Sequence, residues 1–243
     1  MEQPSTKLII MNSLKSLYRY RYFILHLLRS HTQRKHIFRW IKSLQPDYLL
    51  DHPSPWLTFD AIDILNSLTL KGKKVFEYGS GGSTLFWLNH GAECVSIEHN
   101  PDWYNVMQPR LKGMAGIDYR LVLPEPAEDK EALDIADPSL YLSELRGYSF
   151  RNYACQIDSF PDNFFDIVLI DGRARPACIM HSVSKIKQGG CLVLDDAARS
   201  YYTSQAGAYL QQFDRLEFVG VRPTQTEIGR TDIYTRLART ANP

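Results

Sequence analysis

From about residue 72 onward, short apolar runs alternate with stretches whose apolar residues recur at helical spacing. Runs at 75–78, 94–98, 119–123, 165–170, 191–194, 217–221 and 232–237 read as strands. Between them, helices are expected at 83–89, ending at Gly91, and from Pro101 to near Gly113. Two more are expected at 176–187, ending at Gly189-Gly190, and at 204–213. Upstream, Ser54 can cap a helix that Pro55 opens, with Phe59, Ile62, Leu65 and Leu68 on one face. Repeated strand–helix units imply a parallel sheet with right-handed crossovers. The last two strands, joined by a polar loop containing Gly229, read as an antiparallel hairpin.

The rhythm breaks over 124–157. Glu125, Glu128, Asp129, Glu131, Asp134 and Asp137 crowd around Lys130, and Tyr141, Tyr148, Phe150 and Tyr153 follow. An insertion this long is disordered or functional, and a lid is the functional form expected here. The chain thus divides into an extension, 1–52, and a main domain, 53–243, that carries the insertion.

Charge changes the picture of the extension. The whole chain carries a net +1, yet Lys7, Lys15, Arg19, Arg21, Arg29, Arg34, Lys35, Arg39 and Lys42 fall within residues 3–46, which hold no acid. Ile10, Leu14, Leu17, Ile24 and Leu28 keep roughly helical spacing there, with Tyr18, Tyr20, Tyr22 and Phe23 interleaved. Such a helix lies on an anionic membrane, packs on its own acidic body, or meets a second copy. No recognition motif accompanies the charge, so nucleic acid is not an expected partner. Cys94, Cys155, Cys178 and Cys191 fall in or near core segments without a CxxC pair. Reduced thiols and the lack of a long apolar span or a signal-peptide pattern make a cytoplasmic location the expectation.

The chemistry concentrates at "FEYGSGGST", residues 76–84, a strand running through glycines into a helix. That geometry offers backbone N–H groups and a positive helix end to a ligand. A phosphate loop needs GK[ST], and no Lys follows these glycines. A dinucleotide fingerprint wants a third Gly where Thr84 stands, although the acid expected about 20 residues on is present as Glu98. Glu77, two residues before the first Gly, would repel a pyrophosphate and suits an ammonium and a sulfonium.

With its Glu77-Tyr78-Gly79-Ser80-Gly81 run and Glu98 at the end of the second strand, the sequence resembles the class I S-adenosylmethionine-dependent methyltransferases over about residues 56–237. The resemblance implies a Rossmann-like, doubly wound α/β fold with a mostly parallel seven-stranded sheet and an antiparallel C-terminal hairpin. It implies S-adenosylmethionine as cofactor, with Glu98 accepting hydrogen bonds from the ribose hydroxyls, Gly79, Gly81 and Gly82 beside the methionine part, and Ser83 or Thr84 on its carboxylate. His99 belongs to the same expected set. Asn100 and Trp103 are candidates to flank the adenosine, or else cap and pack a helix, and Asp158 is a candidate for the adenine amine.

Asp171 after one strand, in "DGRAR", and Asp195-Asp196 after the next, in "DDAARSYY", are expected at the same sheet edge. The pattern is similar to that of cation-dependent catechol-type O-methyltransferases, which implies Mg²⁺ or a like cation on Asp171, Asp195 and Asp196; here Asp196 and Ala174 depart from the Asn and Lys of that group. Without a metal, Asp171 is the expected base, with Asp195 beside it. His181, ten residues on, is expected away from the edge. Arg173, Arg175, Arg199, Tyr201 and Tyr202 suit an anionic substrate. The reading is O-methylation of a small-molecule or glycan hydroxyl. Its alternatives are an NAD-dependent oxidoreductase and a non-catalytic, membrane-recruited adaptor.

Overall fold

The computed structural model describes residues 6–128 and 133–237, and of residues 6–17 the backbone alone. The side chains of Lys7, Ile10, Leu14, Lys15 and Leu17, and all of Asp129, Lys130 and Glu131, therefore lie outside the described residues. Three helices, α1 (Thr6–Arg29), α2 (Ile37–Ser43) and α3 (Tyr48–Asp51), precede α4 (Phe59–Ser67). There follow β1 (Lys74–Tyr78), α5 (Gly82–Asn89), β2 (Glu93–Glu98), α6 (Pro101–Leu111) and β3 (Ile117–Leu121). The insertion contributes β4 (Glu125–Pro126), β5 (Tyr148–Ser149) and α7 (Arg151–Ala154). The chain then runs through β6 (Phe165–Ile170), α8 (Arg175–Ser182), β7 (Ile186–Leu194), β8 (Phe213–Val221) and β9 (Ile228–Arg236).

Seven strands form one sheet in the order β3-β2-β1-β6-β7-β9-β8. The strands from β3 to β7 are parallel, and β9 runs antiparallel to both its neighbours. The order reverses between β1 and β6, which opens a crevice at the carboxyl ends of those strands.

Strand alternation sends side chains to two cores. Val75, Cys94, Leu169 and Val193 meet α4, α5 and the N-terminal helices on one face. Phe76, Ile97, Val168 and Leu192 meet α7 and α8 on the other. The insertion is partly core: Phe150, Tyr153, Ala154 and Ile157 are fully buried in this second layer.

The N-terminal extension packs on its own body. Phe23, Leu27, Trp40 and Leu50 are buried. Lys35 pairs with Asp60 at 2.6 Å and Arg39 with Asp63 at 2.5 Å. Tyr18, Tyr22, Leu28 and Phe38 stay exposed on its outer side. Among the described residues no helix is long and apolar enough to cross a membrane.

Trp40 carries much of this docking. It packs against Phe23 with ring centroids 5.1 Å apart, and its indole N–H donates to the Gln225 carbonyl at 2.6 Å. Trp40→Ala is expected to cost about 3–5 kcal/mol through the cavity it leaves, read as a lowered midpoint in thermal unfolding.

Several boundaries differ from the sequence expectation. The helix expected to open at Pro55 starts at Phe59, because the chain bends at Trp56 and Leu57, where the Trp56 indole donates to the Pro223 carbonyl at 2.9 Å, and is extended at Thr58. The helix expected over 176–187 stops at Ser182, and Gly189-Gly190 lie inside β7 beside a register shift against β6. Two 3-10 turns, Ser200–Tyr202 and Ala206–Leu210, replace the helix expected over 204–213. There Tyr202, Ala206 and Leu210 turn inward onto the second core. β3 begins two residues early, pairing Ile117 with Cys94. β8 begins at Phe213, where it pairs with Arg236.

Candidate active site

A cavity of about 910 Å³ opens at the carboxyl ends of β1, β2, β6 and β7. Its floor is the glycine loop between β1 and α5. Gly79 has φ +93°, and a Cβ there would lie 3.1 Å from the Asp171 backbone. Both conditions demand glycine, and they set the loop directly against the strand that delivers Asp171.

Glu98 ends β2 beside this loop. One carboxylate oxygen accepts from the Ser80 backbone N–H at 3.1 Å and the Ser80 hydroxyl at 3.0 Å. The other accepts from the backbone N–H groups of His99 and Asn100, both at 2.8 Å. Burial pushes this carboxyl up, but the neighbouring His99 ring and these backbone donors outweigh it and hold the group below the ordinary glutamate value. The His99 Nδ1 lies 3.0 Å from Glu98 yet is too poorly aligned to be satisfied, which leaves it a buried polar atom without a hydrogen-bond partner.

Asn100 caps α6 by accepting from Asp102 and Trp103 N–H groups, and the Trp103 indole donates to the Ser80 carbonyl at 2.8 Å. Both residues also line the cavity. The two readings open in the sequence, helix cap and cavity wall, are therefore compatible.

Glu77 is placed differently from the expectation. Together with Tyr78 and Thr84 it does not line the cavity, and it is fully buried. Alternation along β1 turns Glu77 toward the layer beneath α5 rather than out over the strand end. Its carboxylate accepts from Thr84 Oγ1 at 2.5 Å, Ser96 Oγ at 2.6 Å and the Trp87 indole at 3.3 Å. Thr84 also accepts from the Gly81 N–H at 3.0 Å. Glu77 thus braces the loop from below, and burial pushes its carboxyl up. The Tyr78 hydroxyl donates to the Ala154 carbonyl at 2.6 Å. Gly79, Ser80, Gly81, Ser83, Glu98 and His99 do line the cavity.

The acidic edge is held by arginines. Asp171 accepts from Arg175 at 3.1 Å; burial and the nearby Asp195 push its carboxyl well up despite that partner. Asp195 is 3% exposed, accepts from the Thr231 hydroxyl at 3.0 Å and lies 3.7 Å from Arg222. Asp196 pairs with Arg222 at 2.5 Å and with Arg199 at 3.1 Å.

These pairings bear on the metal expectation. Among the described residues, Asp171, Asp195 and Asp196 do not bring three carboxylate oxygens within 4.8 Å of one another. A cation there would also face Arg175, Arg199 and Arg222. The donor set does not fit Mg²⁺, which needs oxygen ligands converging on one point.

Arg173, Arg175, Arg199 and Tyr202 line the cavity as expected, whereas Tyr201, His181 and Asp158 do not. Among the described residues of 124–157 none lines it either; the insertion reaches the rim through Glu144, which accepts from Arg199 at 2.8 Å and Tyr202 at 2.9 Å. Burial pushes Glu144 up, but hydrogen bonds from Tyr201 and Tyr202 and the Arg199 charge hold it at about 2.

The sequence reading missed one wall altogether. Gln45, Asp47, Tyr48 and Leu49 from the extension and Trp56 just after it line the cavity, as do Arg222, Thr224, Gln225 and Glu227 from the β8–β9 loop. The two segments are tied together: Thr224 N–H donates to Ser43 Oγ at 2.9 Å, beside the Trp40 and Trp56 bonds to the same loop. A Cβ on Gly82 would meet the Leu49 carbonyl at 2.3 Å and the Ser54 carbonyl at 2.5 Å. That contact brings the extension's backbone onto the start of α5. The sequence trace of this wall is Gly82, which the resemblance had placed beside the methionine part of the cofactor.

No protein-family model and no curated protein matches the sequence, but solved structures match the fold. A candidate O-methyltransferase from Klebsiella pneumoniae aligns over 86% of this chain and 100% of its own, at 15% identity and TM-score 0.55. A Corynebacterium glutamicum protein aligns over 86% and 99%, at 10% identity and TM-score 0.54. A cofactor-bound MTB protein aligns over 78% and 87%, at 17% identity and TM-score 0.50. At these identities the likeness speaks for the backbone arrangement, and it agrees with the strand order and the antiparallel β9. The chain has the fold of the class I S-adenosylmethionine-dependent methyltransferases.

Proposed function

We propose that this protein is an S-adenosylmethionine-dependent methyltransferase that methylates a hydroxyl of a small molecule or glycan. The observation that carries the reading is the union, in one cavity, of the glycine loop, the ionised Glu98 at the end of β2 and Asp171 at the end of β6. A carboxylate held ionised is the natural acceptor for a cis-diol. The Ser80 hydroxyl occupies one of its acceptor sites, with Tyr119 Oη 2.8 Å away as an alternative partner. Rotation of Ser80 toward Tyr119 would free that site for a ribose hydroxyl. His99 and Trp103 flank the same end of the cavity.

Bound S-adenosylmethionine supplies an activated methyl group, so the protein has to align the acceptor and take its proton. Asp171 is the base. Its raised proton affinity makes it stronger than an ordinary aspartate, and Arg175 fixes its orientation from one side. Asp195 acts through its neighbours, raising the proton affinity of Asp171 and anchoring Arg222. Arg173 and Arg199 at the rim suit an acceptor bearing an anionic group.

Calorimetry with S-adenosylmethionine and with NADH tests the cofactor; NADH binding without S-adenosylmethionine binding would overturn the reading in favour of an oxidoreductase. Turnover is measured as S-adenosylhomocysteine release across a panel of catechols, sugars and carboxylated hydroxy compounds. Asp171→Asn is expected to lower kcat by about 100-fold or more, with cofactor affinity changed less than about threefold. For the wild type, base ionisation should appear as a rate that rises with pH through a value above the ordinary aspartate range. Full kcat in the Asn variant would remove Asp171 as the base.

A further inference from the structure

Outside the cavity, three segments converge on His181, near the C-terminal end of α8. Its Nδ1 faces the Asp158 carboxylate, with the two oxygens 3.0 and 2.8 Å away. Its Nε2 faces two other donors, Cys155 Sγ at 3.7 Å and Tyr141 Oη at 3.3 Å. Cys155, Asp158 and His181 each bring a ligand atom within 4.8 Å of the others. The imidazole is 16% exposed. None of these residues lines the large cavity, and none takes part in the proposed methyl transfer.

We propose that this cluster is a binding site for Zn²⁺ or a similar borderline divalent cation, ligated by the Cys155 thiolate and His181 Nε2. The Tyr141 oxygen and solvent fill the remaining positions. The spacing fits the chemistry. Tetrahedral zinc with ordinary bond lengths sets its sulfur and nitrogen ligands ~3.6 Å apart, and nitrogen and oxygen ligands ~3.3 Å apart. The observed edges are 3.7 and 3.3 Å. Asp158 on the opposite ring nitrogen supplies the outer carboxylate that orients a metal-bound histidine and raises its basicity. A thiolate with an imidazole selects a borderline cation over Mg²⁺ or Ca²⁺.

The same three residue types also form the chain of a nucleophilic thiol, but no part of the cavity reaches Cys155. A bound cation would link the insertion, through Tyr141, to α8 and to the turn at 155–159. It would thereby hold the base of the segment that carries Glu144.

The test uses the full-length protein, stripped with chelator and titrated with Co²⁺ as a spectroscopic stand-in for Zn²⁺. The expected result is one equivalent bound with a thiolate-to-cobalt charge-transfer band and tetrahedral d–d absorption, both displaced by Zn²⁺. Cys155→Ser and His181→Gln should abolish the band, while Cys191→Ser keeps it. Asp158→Asn should weaken binding by about 10- to 100-fold. Circular dichroism melts confirm that each variant is folded; should Cys155→Ser not fold, protection of Cys155 from iodoacetamide by Zn²⁺ in the unmodified protein reads the same contact. A missing charge-transfer band, an unchanged band in Cys155→Ser, or fast carboxymethylation of Cys155 that Zn²⁺ does not slow would overturn the proposal.

Discussion

Glu98→Gln is expected to weaken S-adenosylmethionine binding by about 10- to 100-fold, the worth of one charge-assisted hydrogen bond of about 1.5–3 kcal/mol. Glutamine keeps the shape but has a single acceptor oxygen. Its amide nitrogen must then face either the Ser80 donors or the His99 and Asn100 N–H groups that the carboxylate now serves. The loop therefore loses its tie to β2 even before a ligand arrives. Titration calorimetry reads the affinity, and circular dichroism shows whether the fold survives. An affinity within about twofold of wild type would remove Glu98 as the ribose acceptor. The sign of the pH effect follows from the lowered folded value. The stabilisation from Glu98 is complete above the ordinary glutamate pKa and is lost as pH falls through the folded one. Cofactor binding should fade with it on the acid side.

Arg175→Met is expected to be the most destabilising single change at the site. Arg175 is 7% exposed and donates to the Gly172 and Asp171 carbonyls, to the Asp195 carbonyl and to the Asp171 carboxylate. It also lies 4.9 Å from the centre of the Tyr202 ring. Removing it leaves Asp171, whose side chain is 24% exposed, beside Asp195 without its nearest opposing charge, a loss of up to about 3–5 kcal/mol. For a chain of this size that lowers the melting midpoint by roughly 6–20 °C. Arg175→Lys should recover only part of it, because a point charge cannot reproduce the planar set of donors. Since Asp171 holds its proton more tightly folded than unfolded, its ionisation costs stability as pH rises from the ordinary aspartate value to the raised one. That cost should grow in Arg175→Met and vanish in Arg175→Met/Asp171→Asn. A midpoint within about 2 °C of wild type for Arg175→Met would mean that the carboxylate edge is held by other contacts.

The two variants probe features that differ in how visible they were from the chain alone. Glu98 was legible because a strand end, a glycine loop and an acid about 20 residues on are local facts. The role of Arg175 was not. It depends on β6 and β7 lying side by side, which sets the Asp195 carbonyl within reach of α8. Glu77 shows the same limit: its position before the glycines is a matter of sequence, but the direction of its side chain depends on which face of β1 α5 covers. The metal expectation meets the same limit. Asp171, Asp195 and Asp196 do reach one sheet edge, and Arg222, arriving from the β8–β9 loop nearly thirty residues later, shares that edge with Arg175 and Arg199.

The sequence by itself determined the alternation of strands and helices, the antiparallel last pair, the glycine loop and the acid that ends β2. Each of these follows from local periodicity, or from a backbone conformation that glycine permits. Only the tertiary structure decided which charges neutralise one another, that the basic extension docks on its own body, and that residues 45–56 and 222–227 together wall the cavity. Such outcomes depend on contacts between segments far apart in the chain, where burial and charge pairing are settled by packing. The loop at 76–84 is where the two meet: its glycines could be read in advance, while the brace beneath it and the wall above it came from the fold.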